Sequence, residues 1–292
     1  MSARIVVGYT ATDAGSDAVA LGSRLAVASG SALDLVVVLP GEERSVITPP
    51  DAAYDRYLRE RAEAWLTDAA AGVPQGVEVS THVLFAESFA AGLIEAAHDV
   101  GATHIVVGAA NGGLRGRHRL GTVASELLHS SDVPVVLAPE GARRIDPLSG
   151  ISRITAAIGL RPGADVLLEE SIALAEATGA ELRLVSLVAV DLPAGIASNE
   201  SAAMHADEVF VHARAALPKK VDAEAVVGLG DSIEAAVSRL SWEPGEVAVV
   251  GSSRLARPRR LFLGSTAAKM LHELPVPMIV VPRTRKKKGA GA

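Results

Sequence analysis

The chain repeats itself over most of its 292 residues. Leu25-Ala26-Val27-Ala28-Ser29-Gly30 recurs as Leu174-Ala175-Glu176-Ala177-Thr178-Gly179 at an offset of 149, and Arg4-Ile5 and Arg153-Ile154 keep that offset. Further along, Gly121, His129, Pro134 and Pro139 recur as Gly264, His272, Pro277 and Pro282 at an offset of 143, so the second copy has lost a net six residues in its middle. A period this long is the duplication of a domain-sized unit, not a solenoid repeat. Two domains of near-equal size also suit the length. Ile145 to Gly150 has linker composition, which sets the expected domains at 1–145 and 151–283, followed by a basic tail at 284–292 expected to be disordered.

Inside the first copy, Ile5 to Gly8, Leu33 to Leu39, Val77 to Phe85, Thr103 to Val107 and Val133 to Leu137 are short, β-branched, apolar runs that read as strands. Between them, Ser16 to Ser29, Asp51 to Ala71, Ser88 to Val100 and Thr122 to Ser130 carry apolar residues at helical spacing. The second copy offers Ile154 to Ile158, Glu181 to Val190, Glu224 to Leu229, Glu246 to Val250 and Val276 to Val281 as its strands. Strands apolar on both faces, alternating with helices, predict an α/β fold: two doubly wound, mainly parallel five-stranded sheets with helices on both faces. The last strands, Val133 to Leu137 and Val276 to Val281, can pair within one chain or between chains.

Composition narrows the function classes. Hydrophobic residues make up 49% of the chain and aromatics 3%, so the core is built of Ala, Val, Leu and Ile. Without cysteine there are no disulfides, thiolate nucleophiles or cysteine metal sites, which suits a reducing cytoplasm. A net charge of −6 argues against a dedicated nucleic-acid binder. No apolar run approaches the roughly 20 residues that span a bilayer, and Met1-Ser2-Ala3-Arg4 lacks the layout of a signal peptide, so a soluble, unexported protein is expected.

In doubly wound sheets, ligands bind at the carboxyl ends of the strands. The fourth strand ends at Gly108, passes Asn111 and nine further residues, and reaches Gly121-Thr122-Val123, where a helix begins. The second copy repeats this spacing from Gly251 through Arg254 to Gly264-Ser265-Thr266. Glycine at a strand end permits close backbone approach, and Gly followed by Thr or Ser at a helix start offers free amides, a hydroxyl and the positive end of the helix dipole. That combination is a phosphate cradle. The intervening loops are also cationic, with Arg115, Arg117, His118 and Arg119 in one copy and Arg254, Arg257, Arg259 and Arg260 in the other. They suggest an anion site, although charged residues also simply keep exposed loops in water.

The pattern resembles the Gly-x2-Gly-x9-Gly-[Ser/Thr] signature of ATP-binding universal stress proteins, once per repeat. The resemblance implies the Rossmann-like fold of that family, a tandem chain packed as an intramolecular pseudo-dimer, and stress-response regulation through ATP or a related adenine nucleotide. It implies no metal beyond a nucleotide-bound Mg, and protein partners of unknown identity. The motif residues would hold the phosphates and ribose, and an Asp closing the first strand would help to hold the adenosine. Both copies depart from this pattern. Asn111 and Arg254 replace the second glycine, and Thr10 and Gly159 stand where the Asp belongs. Asn tolerates a left-handed backbone, and the Arg guanidinium can neutralise a phosphate. The alternatives are a member that binds no nucleotide and acts as a protein-interaction scaffold, and an adenine-nucleotide hydrolase. Neither loop holds an Asp or Glu between its motif glycines, which weighs against hydrolysis.

Other residues invite simpler readings. Asp13 and Asp17 follow the first strand, but gap-free counting puts Thr10, not Asp13, in the family position. His129 and His272 sit near helix ends, where a cation is ordinary capping. The remaining histidines lack metal-site spacing. Trp65 and Trp242 do not match between the copies and are expected to pack in the core.

Overall fold

A computed structural model describes residues 2–41, 52–109, 120–160, 162–189, 199–218, 220–253 and 261–283. The first half runs β1 (Arg4–Gly8), α1 (Asp13–Ser29), β2 (Ala32–Pro40), α2 (Ala52–Ala71), β3 (Val79–Ala86), α3 (Phe89–Asp99), β4 (His104–Gly108), α4 (Thr122–Ser130) and β5 (Val135–Ala138). The second repeats it as β6 (Arg153–Ala157), α5 (Ala164–Thr178), β7 (Glu181–Ala189), α6 (Asn199–Ala216), β8 (Ala223–Gly230), α7 (Ile233–Ser238), β9 (Glu246–Gly251), α8 (Ser265–Glu273) and β10 (Met278–Val281).

The two five-stranded sheets join edge to edge as one sheet in the order β3-β2-β1-β4-β5-β10-β9-β6-β7-β8. Pairs within each half are parallel, and β5 pairs with β10 antiparallel, Val136 opposite Ile279. The last strands therefore pair within one chain. Antiparallel pairing has a geometric consequence: the carboxyl ends of the first half's strands open at one end of the sheet and those of the second half at the other.

The pleat sends alternate residues to opposite faces. Ile5 and Val7 enter one core with α1, α2, α5 and α6, while Val6 enters the other with α3, α4, α7 and α8. Each core draws residues from both halves. The repeated motifs that revealed the duplication have structural causes. Gly30 and Gly179 close α1 and α5 at φ 65° and 68°, the left-handed cap that favours glycine. Arg4 and Arg153 open the first strand of each half and pair with buried carboxylates, Arg4 with Asp34 and Arg153 with Glu246, both far from the strand ends where ligands are expected.

The segment of linker composition is packed against α1. Its neighbours Ala142–Arg144 and its own Pro147–Ser149 form short 3-10 turns. Buried Asp17 on α1 accepts from the backbone amides of Gly141 (3.0 Å) and Arg143 (2.8 Å) and from the Arg143 guanidinium at 2.8 Å. Asp13 completes this ion pair at the surface. The aspartates that follow β1 are thus engaged with the chain that connects the halves.

Candidate functional site

In the first half, β1 ends at Gly8 and the chain turns at Thr10, whose carbonyl accepts from the Thr12 amide at 2.7 Å. Thr10 is exposed, with its hydroxyl 3.0 Å from that of Thr12. Thr12 in turn caps α1 by accepting from the Gly15 amide. Beside this turn, partly buried Tyr9 has its phenol pKa pushed up, by burial and then by Asp68, so it stays neutral.

Gly108 ends β4 directly under this turn. A Cβ there would lie 2.0 Å from the Ala14 carbonyl oxygen, so the backbone that approaches Gly108 closely belongs to α1. Thr10 and Gly108 are brought together around the first turn of α1. Beyond residues 110–119, α4 begins at Thr122 with Gly121 as its N-cap, extended at φ −83° and ψ 171° and without a side-chain cap. Thr122 is exposed and Val123 half-buried.

The second half differs. Among the described residues, a Cβ on Gly251 at the end of β9 would meet only Leu167, at 3.9 Å, and one on Gly159 would meet none within 4 Å. Ser252 and Phe262 grip each other across the loop: the Phe262 amide donates to the Ser252 hydroxyl at 2.7 Å, and the Ser253 amide donates to the Phe262 carbonyl at 2.8 Å. Ser253 is thereby brought against Gly264, whose Cβ would lie 3.0 Å from the Ser253 Cβ. Gly264 is again an N-cap without a side-chain bond, followed by exposed Ser265 and half-buried Thr266 at the start of α8. α1, α3 and α7 are by contrast capped by Thr12, Ser88 and Ser232, while α5 shares a bare glycine start at Gly163. Bare N-caps on α4 and α8 leave first-turn amides to another acceptor, and an anion suits them.

Asn111, Arg254 and the other loop cations, Arg115, Arg117, His118, Arg119, Arg257, Arg259 and Arg260, lie outside the described residues. Among the described residues no group of three His, Cys, Asp or Glu side chains is placed to hold a metal, and no helix is long and apolar enough to cross a membrane. His129 donates to its own helix, from Nδ1 to the Ser125 carbonyl oxygen at 2.6 Å. Trp242 is partly buried, as expected for core packing, with Nε1 donating to the Val237 carbonyl at 3.0 Å. The role of Ser253 and the Ser252–Phe262 grip were not singled out in the sequence, because Phe262 takes part through its backbone amide and carbonyl, which no side chain signals.

Residues 1–139 and 150–282 each match the universal stress protein family. The chain belongs to that family. It is a tandem universal stress protein, one match per half. A universal stress protein of Mycobacterium bovis is 28% identical over 294 residues, covering 95% of this chain and 99% of that protein, and one from Mycobacterium tuberculosis matches equally. Among solved structures, a universal stress protein from Archaeoglobus fulgidus superposes with a TM-score of 0.70 at 18% identity, covering 97% of this chain and all (100%) of that one. A putative universal stress protein from Pseudomonas aeruginosa gives 0.61 at 17% identity, over 96% and 93% of the two chains. These two superpositions, each over nearly the whole chain, show the shared α/β fold.

Proposed function

We propose that this protein binds ATP or a related adenine nucleotide at the starts of α4 and α8 and passes the bound state to protein partners, without catalysis. In this reading residues 1–145 and 151–283 are its two domains. One observation carries the reading: the two motif helices, at matching places in the two repeats, both begin on glycine without a side-chain cap and are followed by Thr or Ser, whereas α1, α3 and α7 recruit a hydroxyl; α5 also starts on a glycine, Gly163, but outside the motif. Gly121, Thr122 and Val123 in one half, and Gly264, Ser265 and Thr266 in the other, would hold the phosphates. The Thr10 hydroxyl at the end of β1 would face the sugar and base; Gly159 supplies no side chain there. A magnesium ion would arrive with the nucleotide.

The competing reading is a scaffold that binds no nucleotide. It is favoured by the absence of a carboxylate at Thr10 and Gly159 and by the closure of Gly108 under α1. Hydrolysis is disfavoured because neither loop holds an acid between its motif glycines to orient water. Thermal shift with ATP, inorganic tripolyphosphate and adenosine separates the readings. Phosphate recognition predicts that ATP and tripolyphosphate raise Tm by several degrees. Ligand at about 100 times its dissociation constant stabilises by roughly 2.7 kcal/mol, and each kcal/mol is worth about 2–4 °C in a chain of this size. No shift with any of them at about millimolar concentration supports the scaffold.

A further inference from the structure

The two candidate cradles open at opposite ends of the sheet, yet one helix touches both regions. The nine-residue α4 starts at the first cradle and is about 13 Å long. Its far end is held by the second half's motif loop: the Leu261 amide donates to the carbonyl of Ser131, the residue that caps α4, at 2.7 Å. The His129 ring meets the Phe262 ring edge to face at 5.0 Å. Leu261 is buried in the core shared by α4, β5, α8 and β10. Ser131 is fixed as well, since its hydroxyl both donates to the Val133 carbonyl at 2.7 Å and accepts from the Val133 amide at 3.0 Å. Phe262 in turn grips Ser252 and Ser253, and Ser253 lies against Gly264 at the second cradle.

We propose that α4 and the Leu261–Phe262 contact couple the two nucleotide sites, so that filling the Gly121 cradle stabilises the loop that shapes the Gly264 cradle. This rests on the nucleotide reading above. An anion that fixes the first turn of α4 restrains the helix as a rigid body. Its other end is then a firmer acceptor for the Leu261 amide and a firmer platform for Phe262. Linkage makes the coupling reciprocal: a nucleotide at the second site strengthens binding at the first by the same factor.

The test fills the first site alone. Ser265→Asp places a carboxylate at the start of α8, where it suits the helix dipole and repels phosphate. Hydrogen exchange is then followed with and without magnesium ATP in the full chain. Coupling predicts that the first-turn amides of α4 and the distant amides of Leu261, Phe262 and Ser253 all slow, the distant ones by about five-fold or more. Adding Phe262→Ala, or separately His129→Ala, removes the distant slowing and keeps that in α4. Slowing confined to α4 in the Ser265→Asp protein overturns the coupling and leaves the nucleotide reading standing. No slowing anywhere overturns both.

Discussion

Gly108 and Gly251 hold the same place in the two repeats and meet different surroundings. The first lies beneath the Ala14 carbonyl, and among the described residues the second has no neighbour closer than 3.9 Å to a would-be Cβ. Gly108→Ala is therefore expected to destabilise the protein by about 3 kcal/mol through overpacking against backbone, whereas Gly251→Ala changes stability by under about 1 kcal/mol. Urea unfolding of the two variants checks this, and equal effects would contradict it. Asp17 is a second case in which position misleads. Close behind β1, it looks like a substitute for a ligand-binding Asp, but it holds Gly141 and Arg143 instead. Asp17→Ala is expected to cost about 2–3 kcal/mol and to leave any nucleotide affinity unchanged, as urea unfolding and a binding isotherm would show. A sequence pattern gives the spacing of motif glycines. It does not say whether the group approaching a glycine is a ligand or another part of the chain, because Ala14 and Gly108 are brought together only by folding.

At the scale of elements, all ten strands were legible, since runs of Val, Ile and Leu apolar on both faces fit a covered parallel sheet. The helix starts were less so. The periodicity of α1 is clear from Ser16, yet the helix begins at Asp13 because Thr12 caps it. The composition of Ile145 to Gly150 marks it as a connection but says nothing of its docking: the residues just before it, Gly141 and Arg143, bond to Asp17 of α1 across more than 120 residues of sequence. One element also carries a pH dependence. At the start of β4, His104 has its pKa lowered by desolvation, partly offset by Glu170 of α5. Its unfolded form takes up a proton near pH 6.5, before the folded form does, so this contribution to stability is complete above that pH and is lost as pH falls further. Urea midpoints at pH 7 and pH 5 should show the loss, and His104→Gln should reduce the difference. A steeper fall in the variant would contradict the assignment.

Over the whole molecule, the shared cores and the β5–β10 ladder make the halves mutually dependent. Glu246 tests this. Fully buried, it pairs with both Arg153 and Arg183 and also accepts from Thr155 and the Glu243 amide. Glu246→Leu leaves two buried guanidinium groups without that partner and is expected to cost about 3–5 kcal/mol. Although the change is confined to the second half, the entire unfolding curve should move as one transition, followed by Trp65 in the first half and Trp242 in the second. Separate transitions would mean that the halves fold independently.

The central claim is that bare N-caps on α4 and α8 bind the phosphates of an adenine nucleotide. Gly121→Asp and Gly264→Asp supply a good helix cap while placing a negative charge where a phosphate would sit; because a Cβ on Gly264 is tight against Ser253, Gly264→Ala, which adds the Cβ without the charge, is the folding control. Calorimetric titration of the intact protein with magnesium ATP should give saturable heat, reduced by each substitution and abolished by the pair. Either no heat up to about millimolar ATP or an isotherm unchanged in the double variant would contradict the account.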